Sequence, residues 1–292
     1  MKSTKIILFG ATGMVGSRIV ELLSKKMEIE APTHLDVDLT DAEEIKRYLD
    51  GIDADYIVYS AGITRQDQAE EEKELALTLN AKVPTLIAKI ASAQSTPLVY
   101  FSTDAVFDGK QSARPYNELD SINPVNYYGL TKSEGEQSVL SQSSKNLVMR
   151  LISVYTGVYK KKKDFARRVL DKLALGEKSE GITDLYFNPT YSDDVCSSLE
   201  SAIEKKVSGI LHVGATDIIS NYDFMVGMAR EFDFDEKLIK KTEFANFFKG
   251  HAAKRGQYTW LDTTKGQKIL GDGAMHSNIF NLSKFKKCIS FQ

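Results

Sequence analysis

Short runs of consecutive apolar residues alternate with stretches in which apolar positions recur every three or four residues, and this alternation organises the first half of the chain. Lys5 to Phe9 reads KIILF, the pattern of a strand buried on both faces, and Val15 to Leu23 then takes helical spacing. Further strands are predicted near Glu28 to Ala31, briefly near Leu35 to Val37, and at Tyr56 to Ser60, Leu98 to Ser102 and Leu147 to Val154. Helices are predicted from Asp41, through Leu75 to Ile90, and from about Asn126. Strands alternating with helices imply an α/β fold with a doubly wound parallel sheet. Pro84 inside the longest helical pattern predicts a kink or break there.

Beyond Tyr155 the rhythm becomes irregular. A Lys-rich loop leads to a helix at about Phe165 to Leu175, an extended stretch to Asn188 and Pro189, a helix from Ser192 and a strand at Ile210 to Val213. Helical spacing returns near Asn221 to Phe232 and Thr264 to Leu270, and the last fifteen or so residues carry no clear period. The expected division is therefore a first domain over 1–154 and a smaller C-terminal α/β region over 155–292, with 188–214 packing back on the first.

The composition adds exclusions more than identity. The 292 residues hold 38 basic and 40 acidic side chains, a formal charge of −2, which gives no electrostatic case for nucleic acid or an anionic membrane surface as main partner. The only cysteines, Cys196 and Cys288, form no disulfide framework, and the four histidines at 34, 212, 251 and 276 show no metal-ligand spacing. No apolar run approaches membrane-spanning length, so a cytoplasmic, metal-free protein is expected.

Candidate chemistry sits where strands end. Gly10–Ala11–Thr12–Gly13–Met14–Val15–Gly16 hands the first strand to the first helix, the place where glycines permit a tight turn and close approach of a pyrophosphate to a helix N-terminus. A Rossmann-type dinucleotide site follows from that context. The second strand ends in Ala31–Pro32–Thr33–His34, without the carboxylate that grips the ribose of NAD, so NADP(H) is favoured and NAD(H) stays open. Arg18 is the nearest candidate for a 2′-phosphate, while Asp36 and Asp38 belong either to the adenine pocket or to a helix start capped by Thr40. Ser60–Ala61–Gly62 ends another buried strand with side chains small enough for a cofactor to lie against.

Ser102–Thr103–Asp104 ends the fourth long strand, and Tyr128 and Lys132 follow 25 and 29 residues after Thr103. Positions four apart share a helix face, so the Lys132 ammonium is expected beside the Tyr128 phenol, lowering a pKa that is ordinarily near ~10. A hydroxyl at Thr103 can polarise a substrate carbonyl, or it can merely cap a turn; its position before Tyr128 favours the first. The cationic run Lys160 to Lys163, with Arg167 and Arg168, is read as a solvated loop, with a substrate diphosphate as the alternative. Asn80, in a helix otherwise apolar on one face, reads as a structural hydrogen bonder.

With those residues in view the chain resembles the extended short-chain dehydrogenase/reductases, and within them the dTDP-4-dehydrorhamnose reductase family of nucleotide-sugar 4-ketoreductases. The likeness rests on GATGMVGS (10–17), LDVDLTD (35–41), SAGITRQDQAE (60–70), LNA (79–81), FSTDAVFDG (101–109), NPVNYYGLTKSEGE (123–136), MRLISVYTG (149–157), NPTYSDDV (188–195), GILHVGA (209–215) and LDTTK (261–265). The resemblance implies Thr103, Tyr128 and Lys132 as the catalytic set. It places Gly10, Thr12, Gly13, Met14, Val15, Gly16, Thr33, Asp38, Leu39, Ser60, Ala61, Gly62, Ser102, Tyr128 and Lys132 at the cofactor, and Asp104, Val106, Ser153 and Asn188 at the substrate. It implies reduction of the C4 ketone of a nucleoside-diphosphate 4-keto-6-deoxyhexose, in deoxysugar and cell-surface polysaccharide synthesis, with a homodimer as an open option. The rhamnose-forming members usually carry Trp where this chain has Ser153, so a related 4-keto sugar is equally open. Because GDP-sugar reductases share the GMVGS run, the nucleotide is open too. Other readings are an NADP-binding regulatory subunit that does not turn over, such as the regulatory subunit of methionine adenosyltransferase, and an epimerase or dehydratase.

Overall fold

In the computed structural model, which describes residues 3–159 and 161–289, the first half alternates as β1 (Lys5–Phe9), α1 (Met14–Leu23), β2 (Glu28–Glu30), α2 (Ala42–Tyr48) and β3 (Tyr56–Tyr59). It continues with α3 (Gln66–Glu71), α4 (Lys73–Leu77), α5 (Val83–Ala93), β4 (Leu98–Thr103), α6 (Tyr127–Gln142) and β5 (Leu147–Leu151). Then come α7 (Phe165–Ala174), β6 (Ser179–Ile182), β7 (Tyr186–Phe187), α8 (Ser192–Glu204), β8 (Gly209–Val213) and β9 (Ile219–Ser220). The chain ends with α9 (Asn221–Glu231), β10 (Ile239–Thr242), α10 (Phe244–Phe247), α11 (Thr264–Leu270) and α12 (Asn278–Cys288).

The main sheet has the order β2-β1-β3-β4-β5-β8, parallel throughout. Its period-2 side chains divide between two faces. Ile6, Leu8, Val58, Val99, Phe101, Met149 and Leu211 pack against α1 and α8. Ile7, Phe9, Ile57, Tyr59, Tyr100 and Val148 face Ile45 of α2, Ile87 and Ala91 of α5 and Val139 of α6. Both faces being covered explains why the strands read as continuous apolar runs. Because β2 lies on one side of β1 and β3 on the other, a crevice opens between the carboxyl ends of β1 and β3, where open parallel sheets bind ligands.

The C-terminal region has its own core of aromatic rings, with Tyr155 packed edge-on or tilted against Tyr191, Phe224 and Phe285 at 5.2–5.5 Å. Beside it, β6 pairs parallel with β10 and β7 antiparallel with β9. β8, although late in sequence, pairs with β5 in the main sheet, and α8 is tied to α1 by Arg18. That guanidinium is 6% exposed and forks onto Asp193 at 2.7 and 2.8 Å, with Glu21 at 2.8 Å. Truncating Arg18→Ala should therefore cost about 1–3 kcal/mol of stability, read as a lower denaturation midpoint, because it strips a charge-assisted bidentate pair.

Several expectations are corrected. Leu35 to Val37 forms no strand. Asp36 accepts from the Thr33 amide and hydroxyl, and Asp38 from those of Thr40, so local side-chain bonds compete successfully with strand pairing. Asp41, not Thr40, caps α2 through the amides of Glu43 and Glu44. The predicted strand to Val154 stops at Leu151, since Ser153 takes a left-handed φ of 43°. The long helix is interrupted at Thr78–Lys82 by a π turn. This turn absorbs the register change and leaves Pro84 in the first turn of α5, where a missing N–H costs nothing. The aperiodic C-terminal stretch is in fact α12, anchored by Leu282 and Phe285. Lys160 lies outside the described residues.

Candidate active site

At the end of β1 the chain turns through Gly10 at φ +86°, pressed so closely on the Ser60–Ala61 backbone that a Cβ would overlap the Ala61 amide. Gly13, whose N–H donates to Gly10 O at 3.0 Å, then caps α1 without any side-chain bond to the first turn, and that turn carries no acidic residue. Its amides are thus available to an anion. Thr12 is exposed and its carbonyl oxygen accepts from Tyr159 Oη at 3.1 Å; Met14 and Val15 are half-buried, and Gly16 is buried in the first turn.

The facing wall is held by Asn80. Its Oδ1 accepts from the Ile63 amide and its Nδ2 donates to Ile63 O and Thr131 Oγ1, all at 3.1 Å. The π turn carries Asn80 to this position, which fixes the Ser60–Ala61–Gly62 segment against α6. Thr33, Asp38 and Leu39 lie on the self-bonded loop after β2. Both carboxylates there sit below their usual range, Asp36 through the Thr33 amide and Asp38 through that of Thr40. Arg18 is committed to Asp193, so it is not free for a phosphate as the sequence suggested.

Ser102 and Thr103 end β4, and α6 is set against them by Asn126, which caps it by accepting from the Gly129 amide at 2.8 Å. Gly129 separates Tyr128 from the rest of the motif for a packing reason: a Cβ there would strike Ala105 O. Tyr128 is 8% and Lys132 6% exposed, so one helix face carries both into the interior. Lys132 Nζ donates to Phe101 O at 2.5 Å and lies 3.9 Å from the centre of the Tyr100 ring. Burial brings its pKa down to about 7, with Glu136 acting in the opposite direction.

The phenol differs from expectation. Burial pushes Tyr128 well above its ordinary value, Thr103 works against this, and Asp104 adds to it. Lys132, turned to the β4 backbone, is not what moves the phenol here. Thr103 Oγ1 donates to Asp104 Oδ1 at 3.0 Å and accepts from the Ala105 amide at 3.2 Å. Ser102 Oγ is buried without a partner.

The family model described as the RmlD substrate binding domain matches residues 4–277. The chain belongs to this family. Over 284 residues it is 30% identical to dTDP-4-dehydrorhamnose reductase of Aggregatibacter actinomycetemcomitans, covering 91% of this chain and 93% of that protein. It is 27% identical to methionine adenosyltransferase 2 subunit beta of Rattus norvegicus over 82% of this chain and 75% of that one. A crystal structure of dTDP-4-dehydrorhamnose reductase from Bacillus anthracis in complex with NADP superposes with a TM-score of 0.89, at 25% identity, over 98% of this chain and 99% of that chain.

Within this RmlD-family chain, two of the residues assigned to substrate are unavailable to it. Val106 is fully buried in the aromatic core. Asn188 spends its amide on Ala215 O, Leu261 O and the Leu261 N–H. Asp104 and Ser153 remain, the first lining a cavity of about 30 Å³ and the second exposed beyond β5. That cavity is also walled by Gln66, Asn126, Arg255 and Thr259, which the sequence did not single out. Asn126 could have been found as a cap residue directly before the helix; Arg255 and Thr259 lie in an aperiodic segment that carries no such signal. Among the described residues no helix is long and apolar enough to cross a membrane, and no cluster of potential ligands could hold a metal ion.

Proposed function

We propose that the chain is an NADPH-dependent reductase of the C4 ketone of a nucleoside-diphosphate 4-keto-6-deoxyhexose. The observation that carries this reading is the burial of Thr103, Tyr128 and Lys132 where α6 packs on β4, with Thr103 beside the phenol and Lys132 Nζ on Phe101 O. The bare first turn of α1 fits a cofactor pyrophosphate, and the unpartnered Ser102 Oγ suits a polar ligand atom at the same edge. NADP(H) is supported by the absence of a carboxylate at Ala31–Pro32–Thr33, since Asp36 is turned back onto its own loop. The RmlD-family relative from Bacillus anthracis, solved with NADP, points the same way.

When bound, the reduced nicotinamide supplies a hydride. Thr103 orients the substrate oxygen, and Tyr128 gives its phenolic proton to the alkoxide that develops there. Lys132, with its ammonium on Phe101 O and over the Tyr100 ring, pins α6 to β4 and so holds the phenol at the sheet edge.

Gly10→Ala should weaken NADPH binding tenfold or more and cost about 1–3 kcal/mol of stability, because the positive φ and the Ala61 backbone leave no place for a Cβ. Fluorescence titration and equilibrium denaturation measure both. The function itself is tested by mixing the protein with NADPH or NADH and with dTDP- and GDP-linked 4-keto-6-deoxyhexoses, following loss of nicotinamide absorbance. Turnover with NADPH on one of these sugars is the expected result. Tight NADPH binding with no turnover on any would favour the second reading, a regulatory NADP-binding subunit, which the likeness to methionine adenosyltransferase 2 subunit beta supports.

A further inference from the structure

A chain of hydroxyl and carboxyl groups runs from the C-terminal segment to the phenol. Thr259 Oγ1 donates to Asp104 Oδ2 at 2.5 Å, and Thr103 Oγ1 donates to Asp104 Oδ1 at 3.0 Å. Thr103 is in turn the polar neighbour of Tyr128. Both oxygens of Asp104 are therefore held by hydroxyls, and no cation is paired with them among the described residues. The same carboxyl borders the cavity of about 30 Å³, enough for one or two water molecules. The titratable or charged groups facing Asp104 are the Tyr128 phenol of α6 and Arg255 across the cavity, whose charge is met by Asp67 of α3 at 3.0 Å.

We propose that Asp104 is the proton reserve of the reaction, returning a proton through Thr103 to Tyr128 once the phenol has given its own to the substrate oxygen. This rests on the reductase reading above. The Thr103 hydroxyl donates to Asp104 while that group is ionised and turns to the Tyr128 oxygen when Asp104 carries the proton; in the transfer, the Asp104 carboxylic acid then gives its proton to Thr103 Oγ1 as the Thr103 hydroxyl proton moves to the Tyr128 phenolate. Only O–H bonds break and form, and the negative charge passes from phenolate to carboxylate. A proton from bulk solvent, relayed through water in the cavity, then reprotonates Asp104 and supplies the one proton that ketone reduction consumes. Burial raises the carboxyl to about 6, against the pull of Thr259 and Thr103, so it can both give and recover a proton near neutrality. Asp104 acts through Thr103, as a positioning and proton-supplying residue, and Thr259 tunes it.

The test is the pH dependence of kcat with NADPH and the keto-sugar that the wild-type chain turns over. Wild-type kcat should fall as pH rises through the Asp104 pKa, because the acid form is the donor. Asp104→Asn keeps the shape and removes the acid. It should lower kcat about tenfold or more near pH 6 and abolish that limb. Thr259→Val removes a bond that lowers the carboxyl pKa and should move the limb to higher pH, while Thr259→Ser restores it. A second readout needs no turnover: the ¹³C signal of the Asp104 carboxyl in the apoprotein, assigned by its loss in D104N, should titrate above the ordinary aspartate range and shift upward in T259V. Full kcat in D104N, a pH limb that survives in it, or an Asp104 carboxyl titrating in the ordinary range would each overturn the proton path while leaving the reductase reading intact. A wild-type chain that turns over no keto-sugar overturns both.

Discussion

Replacing Tyr128 by Phe should cut turnover by about 10²–10⁴-fold while NADPH affinity stays within a factor of two or so, because the change removes one proton donor and little else. The ring is 8% exposed and packs with Ala69, Ala76 and Ala105. Phe fills that space, so folding and the glycine turn should be unaffected. Since burial already holds the phenol protonated, the variant tests proton donation rather than removal of a resident anion. Single-turnover kinetics with a keto-sugar, alongside fluorescence titration of NADPH, separate the chemical step from binding. Full activity in Tyr128→Phe would remove Tyr128 from the chemistry.

The second large effect is on stability and lies beneath the site. Arg150 on β5 meets Glu136 of α6 at 2.7 and 2.9 Å, with side chains 3% and 2% exposed. His212 Nε2 lies 3.3 Å from the same guanidinium, and burial together with Arg150 brings that imidazole down to about 3, so it is neutral. Arg150→Met should cost about 3–5 kcal/mol, because it strands a carboxylate in the interior, whereas the double variant Arg150→Met with Glu136→Leu should recover most of that loss. Urea denaturation of the two single variants and the double variant measures the coupling. Glu136→Gln carries a further consequence at the site: with the charge that favours its protonation gone, Lys132 should fall below its present value of about 7.

What could be read from the sequence was local. The Gly10 to Gly16 turn, the Ser102–Thr103 strand end and the Tyr128–Lys132 spacing each lie within one element, and periodicity places such features without knowledge of the fold. The pairs that complete the structure lie far apart in the chain. Thr259 and Asp104 are 155 residues apart and Arg18 and Asp193 are 175 apart, and neither pair leaves a period to detect. This is why Arg18 looked free for a phosphate when it was a bolt between α1 and α8. Asp36 misled for the opposite reason: within the expected Leu35 to Val37 strand its bonds reach only to Thr33, and such short-range capture overrides strand propensity. Val106 and Asn188 show the limit of carrying roles across a resemblance. Sequence position puts them near the sheet edge, and only packing reveals that one fills a core and the other braces backbone.

The most direct test of the proposed reduction follows the hydrogen itself. With NADPH carrying deuterium at both positions of the nicotinamide C4 and a nucleoside-diphosphate 4-keto-6-deoxyhexose, NMR of the product should show deuterium bonded to C4 of the sugar in wild type. A sugar that gains no deuterium at C4, in a protein that binds NADPH and the sugar nucleotide tightly, would contradict it.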